Sequence, residues 1–293
     1  MSNKDQKKQE VQEEVKKPGT DVAVYDFGDD TGAGMEDVKR EEYKIPFLSI
    51  LDAKSPQCKP KNAGGMGLKP GDIYNTATGE AYDGEKGIDV IPVKRDENYP
   101  EFISRKEDGS GGGFVGIRAA DDPLVLKLRG EQGKFGRLKV PPQSGGEWVA
   151  GVDHELSQTY YLYVLFAPDL TAPDVSPQIA VIGFKSTQIA KYQQVITRQN
   201  NISYPTAKGN VKPPLWAHVW HFSTKYEEKN SRSWYGWIVG LKKEPSRESL
   251  LKMDSPLYVA GKDFYQSITG GAKQADFASQ NKAAAADDEE IPM

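Results

Sequence analysis

A single cysteine, Cys58, stands in 293 residues, so no internal disulfide is available and the chain suits a reducing compartment. Histidine is nearly as scarce, at three residues. Of these, His218 and His221 are three apart, a spacing that on a strand sends them to opposite faces and excludes a shared metal. The longest apolar run, residues 160–167 (YYLYVLFA), falls far short of the roughly 20 residues a membrane helix needs. The opening MSNKDQKKQE lacks the apolar segment of a secretory signal. A soluble, cytoplasmic protein is expected. No G-x-S-x-G elbow occurs, and the glycine run at 109–116 lacks the Lys-Ser/Thr of a phosphate loop. No spacing singles out a carboxylate pair. Neither enzymatic activity nor a cofactor or metal is expected.

What is present starts with the charge pattern. Net charge is −4, but residues 1–42 carry seven bases and twelve acids, and residues 287–293 carry four acids and no base. The intervening body holds 31 bases against 26 acids. A basic body between acidic arms is an arrangement of nucleic-acid binders, and equally of proteins whose acidic arms only keep them soluble.

Glycine and proline, 29 and 19 residues, favour turns and β-structure over helical bundles. Residues 1–42 form an acidic arm too poor in aliphatic side chains to pack, and are expected to be disordered. Residues 43–269 form one β-rich body, and residues 270–293 a linker and acidic tail. Within the body, 72–80, 87–93, 124–128, 159–167 and 179–184 read as strands, with Pro92 placing the second at an edge or ending it. The 159–167 run is β-branched, aromatic and unbroken, which predicts a strand buried on both faces. Ser186 or Thr187 can cap a helix whose apolar face is Ile189, Tyr192 and Ile196, ending near residues 199–201. Residues 215–222 and 233–241 are aromatic strands of a hairpin, and 246–253 a short helix. The expected class is a mainly β, OB-like barrel with long loops and one or two helices.

Two groups of residues have the chemistry of single-strand binding. Lys127, Arg129, Lys134, Arg137 and Lys139, with Phe135 among them, put five positive charges within thirteen residues punctuated by glycines. On a hairpin these would track phosphates, or simply be solvated. Lys185 and Lys191 add charge around the helix. On strand periodicity Trp216, His218 and Trp220 share one face, and Trp234 joins them from the second strand. Such rings serve either as core or as a platform on which bases stack.

The tail, Asp287-Asp288-Glu289-Glu290-Ile291-Pro292-Met293, resembles the C-terminal peptide of bacterial single-stranded-DNA-binding proteins, an acidic run followed by Ile-Pro-Phe. That resemblance implies that Ile291, Pro292 and Met293 enter a pocket on replication or recombination proteins while the four acids meet its basic rim. Met293 stands in place of the terminal Phe and removes its ring contacts. The segments Ile45-Pro46-Phe47, KPGDIYNTATGE at 69–80 and FKSTQ at 184–188 resemble a group of bacteriophage proteins, some described as single-stranded-DNA-binding. Together these imply a phage replication or recombination protein that binds single-stranded DNA, its tail competing with DNA for the groove. Two other readings stay open: a phage structural or scaffold protein without nucleic-acid affinity, and a metal-dependent nuclease. Whether it forms a homo-oligomer is also open.

Overall fold

The computed structural model describes residues 44–106, 112–133, 137–142, 144–172, 175–207, 209–229, 232–271, 274–275 and 277. The chain runs through β1 (Lys44–Ile45), β2 (Phe47–Ile50), β3 (Ile73–Asn75), β4 (Ala81–Tyr82), β5 (Ile88–Ile103) and β6 (Phe114–Ala119) to helix α1 (Pro123–Gln132). Next come β7 (Arg137–Lys139), β8 (His154–Ser157), β9 (Thr159–Ala167), β10 (Gln178–Lys185), α2 (Ile189–Asn201), β11 (Tyr204–Thr206) and β12 (Gly209–Val211). It closes with β13 (Trp220–Lys229), β14 (Arg232–Leu241), α3 (Pro256–Thr269) and β15 (Gln274–Ala275).

Eleven strands form one sheet with the path β14-β13-β5-β9-β10-β2-β3-β4, onto which β6, β7 and β8 attach around the far half of β5. The pairings are antiparallel except β10 with β2. β9 lies between β5 and β10, and its alternation feeds two cores. Leu162, Val164 and Phe166 point into the first, with Ile88, Val90, Ile182, Phe184, Phe222 and Trp237. Tyr161, Tyr163 and Leu165 point into the second, with Ile91, Val93, Phe264 and Ile268. A strand with two buried faces leaves no polar position, which is why the 159–167 run has no charge. Phe277, past residue 269, packs on Phe47 and Tyr161 in the second core.

The first core collects Ile73 from β3 near one end of the sheet and Trp237 from β14 at the other, so the sheet is rolled around it. The ends are tied without a ladder: Thr224 Oγ1 donates to the Gly71 carbonyl at 2.7 Å, and Thr224 N–H to that of Gly84 at 2.7 Å. Among the described residues no sheet closes, so the hydrogen-bonded closure expected of an OB-like barrel is not formed. What stands is a mainly β protein whose large open sheet is rolled and carries helices on both cores.

Three expected elements differ. Residues 124–128 are helix, not strand: Asp122 accepts from the N–H of Leu124 at 2.8 Å and Pro123 occupies the first helical position, a start signal that overrides the apolar run. Pro92 neither ends its strand nor lies at an edge, because the register shifts between Pro92 and Lys94 and the bulge removes the need for its missing N–H. The region 256–269, expected as a turn or two, is the helix α3, capped by Ser255 with Pro256 following.

One buried carboxylate joins three strands. Asp89 on β5 is 1% exposed and accepts the Leu170 N–H at 2.9 Å, with His221 Nδ1 at 3.1 Å and the Lys242 ammonium on its other oxygen. Lys242 also reaches Asp169 at 2.7 Å. This bond to Lys242, then that from Thr171, holds the Asp169 carboxyl well below the usual carboxylate range. A depressed folded-state pKa stabilises the fold above the unfolded value of about 3.9 and is lost as pH falls below it. Urea midpoints should therefore fall between pH 5 and pH 3, and Asp169→Asn should lose less over that interval than the parent. Separately, a Cβ at Gly84 would sit 1.9 Å from the Gly71 carbonyl oxygen. Gly84→Ala should thus cost about 1–3 kcal/mol in denaturant unfolding.

Candidate functional site

The bases expected on one hairpin are divided between two elements. Lys127 and Arg129 lie on α1, where Lys127 pairs with Glu131 at 4.0 Å and Arg129 reaches Glu97 at 3.7 Å and lies 5.8 Å from the centre of the Tyr99 ring. Arg137 and Lys139 lie on β7, Arg137 bonding Glu155 at 2.6 Å and Lys139 sitting 4.2 Å over the Trp148 ring. Each of these four meets an acid or an aromatic face, so they do not form one continuous phosphate-tracking loop. Lys134 and Phe135 lie outside the described residues, as does the tail from Asp287 to Met293.

The tryptophans are also redistributed. Strand β13 begins at Trp220, and residues 215–217 form a 3-10 turn, so the two-residue period does not extend to Trp216. Trp216 joins the second core, its ring 5.2 Å from Tyr265 of α3, whereas Trp220 is 1% exposed in the first. His218 is fully buried beside the Tyr204 hydroxyl at 3.0 Å, and burial pushes its imidazole below its ordinary value. Trp216, His218 and Trp220 therefore share no exposed face. Trp234 is half-buried, donating its indole N–H to Glu227 at 2.9 Å. The apolar packing of a rolled sheet decides this distribution, which strand periodicity alone does not contain.

Where the structure does bring expected residues together is the start of α2. Strand β10 ends at Lys185, and Ser186 turns the chain with φ +52°, a left-handed conformation that costs a non-glycine residue energy. A single 3-10 turn leads into α2, and Gln188 Oε1 accepts the Trp237 N–H at 2.8 Å. That bond fastens the helix to the edge strand β14 and covers an otherwise open ladder group. Tyr192 secures the next turn by stacking on Tyr160 at 4.5 Å.

Between this turn and the β7–β8 region lies a cleft of about 630 Å³, lined by Arg137, Ser157, Gln158, Lys185, Ser186, Thr187, Ile189 and Gln193. Two expected cations, Arg137 and Lys185, thus meet three hydroxyls and two amides, and Lys191 pairs nearby with Glu227 at 3.2 Å. Gln158 is 3% exposed, its Nε2 donating to Glu97 and to the Tyr160 hydroxyl, each at 2.9 Å. Its Oε1 is buried with no partner among the described residues. On the opposite flank of α2 a second cavity of about 600 Å³ is lined by Gln194, Thr197, Arg198, Asn201, Trp220 and Val239, with Gln193 bordering both. Arg198 is held there by Glu244 at 2.9 Å. Among the described residues no group of His, Cys, Asp and Glu could hold a metal ion.

A sequence signal for this surface exists and is simple. From residue 175 to 226 there is no Asp or Glu, while Lys185, Lys191, Arg198, Lys208, Lys212 and Lys225 fall in the same stretch. The acids that do reach α2, Glu227 and Glu244, come from the following hairpin and loop. Chemically, cations, hydroxyls and amides in an open cleft suit a polyanion with polar edges.

A family model described as Pam3 phage gp34-like protein matches residues 13–274. No curated protein and no solved structure matches the chain.

Trp220 serves to separate packing from binding. Trp220→Ala should cost about 3–5 kcal/mol of stability, read as a lowered urea midpoint. A midpoint near the parental one would place this indole outside the core.

Proposed function

The chain belongs to the Pam3 phage gp34-like family, and on that premise we propose that it binds single-stranded DNA without sequence specificity during phage replication or recombination. The observation that carries this reading is the meeting of Arg137 and Lys185 with hydroxyl and amide groups beside an acid-free helix face. Affinity comes mainly from phosphate neutralisation, so it falls with salt. A rolled sheet with an open cleft serves such a strand as an OB-like groove does, without needing closure. Its place of action is the cytoplasm of the host, in keeping with a phage family and with no described helix long and apolar enough to cross a membrane.

The acidic tail completes the proposal. Asp287, Asp288, Glu289 and Glu290 compete with DNA for the cations, and Ile291, Pro292 and Met293 dock on replication or recombination partners once DNA displaces them. A second reading, a structural or scaffold protein, is favoured by apolar side chains left in water on one side of the body: Val152 is 65% and Val149 52% exposed.

Binding of a labelled oligo-dT across a salt series tests the first reading. The slope of log K against log salt should flatten by about 0.7 for each phosphate contact removed in Arg137→Ala and Lys185→Ala. Deleting residues 287–293 should tighten binding at low salt. No saturable binding by either the full or the shortened chain, with a large DNA-independent assembly on a sizing column, would favour the second reading.

A further inference from the structure

The buried indoles leave the protein without a tryptophan platform, but the tip of the β13–β14 hairpin carries exposed aromatic surface. Tyr226 and Tyr235 are directly opposite in the ladder, their rings T-shaped with centroids 5.5 Å apart. Tyr226 is 52% exposed. Its partner is fixed from below: Tyr235 rests on Gly71, where a Cβ would come within 2.6 Å of the ring. Thr224, two residues before Tyr226, bonds the backbones of Gly71 and Gly84, so the tip is pinned to the far side of the rolled sheet. A large planar ring held rigidly in water adds nothing to a core. It gains free energy only when another flat apolar surface covers it.

The charge around it indicates what that surface is. Lys225 adjoins Tyr226 and Lys69 lies two residues before Gly71; both are exposed, and neither has an ion pair among the described residues. Lys54, Lys59 and Lys61 precede them on the same connection between β2 and β3. The nearby acids are in part occupied, Asp72 accepting the Lys69 N–H at 3.0 Å and Asp83 that of Glu85 at 3.0 Å, while Glu228 is exposed beyond the ring. An aromatic face between free ammonium groups matches a base with a phosphate on either side. In a duplex the faces of the bases are already stacked, so the match is to a single strand.

We propose that Tyr226 is a base-stacking residue of this protein, backed by Tyr235, with Lys69 and Lys225 neutralising the flanking phosphates. The inference rests on the single-strand reading above and assigns it a contact that does not depend on salt. Stacking discharges no counterions, whereas phosphate contacts do.

The test uses the full chain with a fluorescent oligo-dT of about 20 nucleotides, the same oligonucleotide with abasic residues, and a matched duplex. Tyr226→Ala should weaken oligo-dT binding about 5- to 100-fold while leaving the salt slope unchanged. Tyr226→Phe should stay within about twofold of the parent, since the ring is kept. On the abasic strand and on the duplex, parent and Tyr226→Ala should bind alike. The proposal is overturned if Tyr226→Ala binds oligo-dT like the parent, or if it loses as much on the abasic strand. Unchanged urea midpoints in both variants keep a folding defect out of the comparison. A parent chain that binds no single strand at all would instead overturn the functional reading itself.

Discussion

Strand β9 has water on neither face, and the arrangement of the protein follows from that. Nine residues without a charge must be covered twice. The inner face is covered by rolling the sheet until β3 and β14 share one core, and the outer face by α3 with the turn at Leu215–Ala217. Burying an aliphatic or aromatic side chain contributes about 1.5–3 kcal/mol, so losing either cover would forfeit a large part of a domain's net stability. The roll in turn forces the hairpin tip against the Gly71 and Gly84 backbones, where no side chain fits.

The polar surface is a by-product of the same packing. Because α2 must supply Tyr192 and Val195 to the inner core, its other sides, with Gln193, Gln194, Thr197 and Arg198, are turned outward. Because β10 must end before α2 can begin, Lys185 and the strained Ser186 fall at the cleft, and β7 brings Arg137 to the same place. The bases of α1 and β7 each meet an acid or a ring, whereas the acid-free stretch can draw its counter-charges only from elsewhere in the chain. Local sign imbalance of this kind is what raises the concentration of a polyanion near a surface.

Legibility varied with the kind of signal each segment carried. β9, β10, α2 and the aromatic hairpin were readable because long unbroken periodicity leaves few alternatives. Helix α1 was misread because its apolar run outweighed the Asp122-Pro123 start signal, although the cap geometry decides such short segments. Pro92 was misread because a bulge is a property of two paired strands, not of one. Lys185, Lys191 and Arg137 were found as cations, but their relation to Gln158 and Thr187 depends on residues far apart in the chain being folded together.

By itself, then, the sequence determined a β-rich body with an acid-poor central stretch and an amphipathic helix, since these are local consequences of side-chain type and spacing. Tertiary structure alone decided which aromatic rings face water. Trp216, Trp220 and Tyr226 are equally large and equally compatible with a strand, and only the direction in which the sheet rolls buries the first two and leaves the third outside.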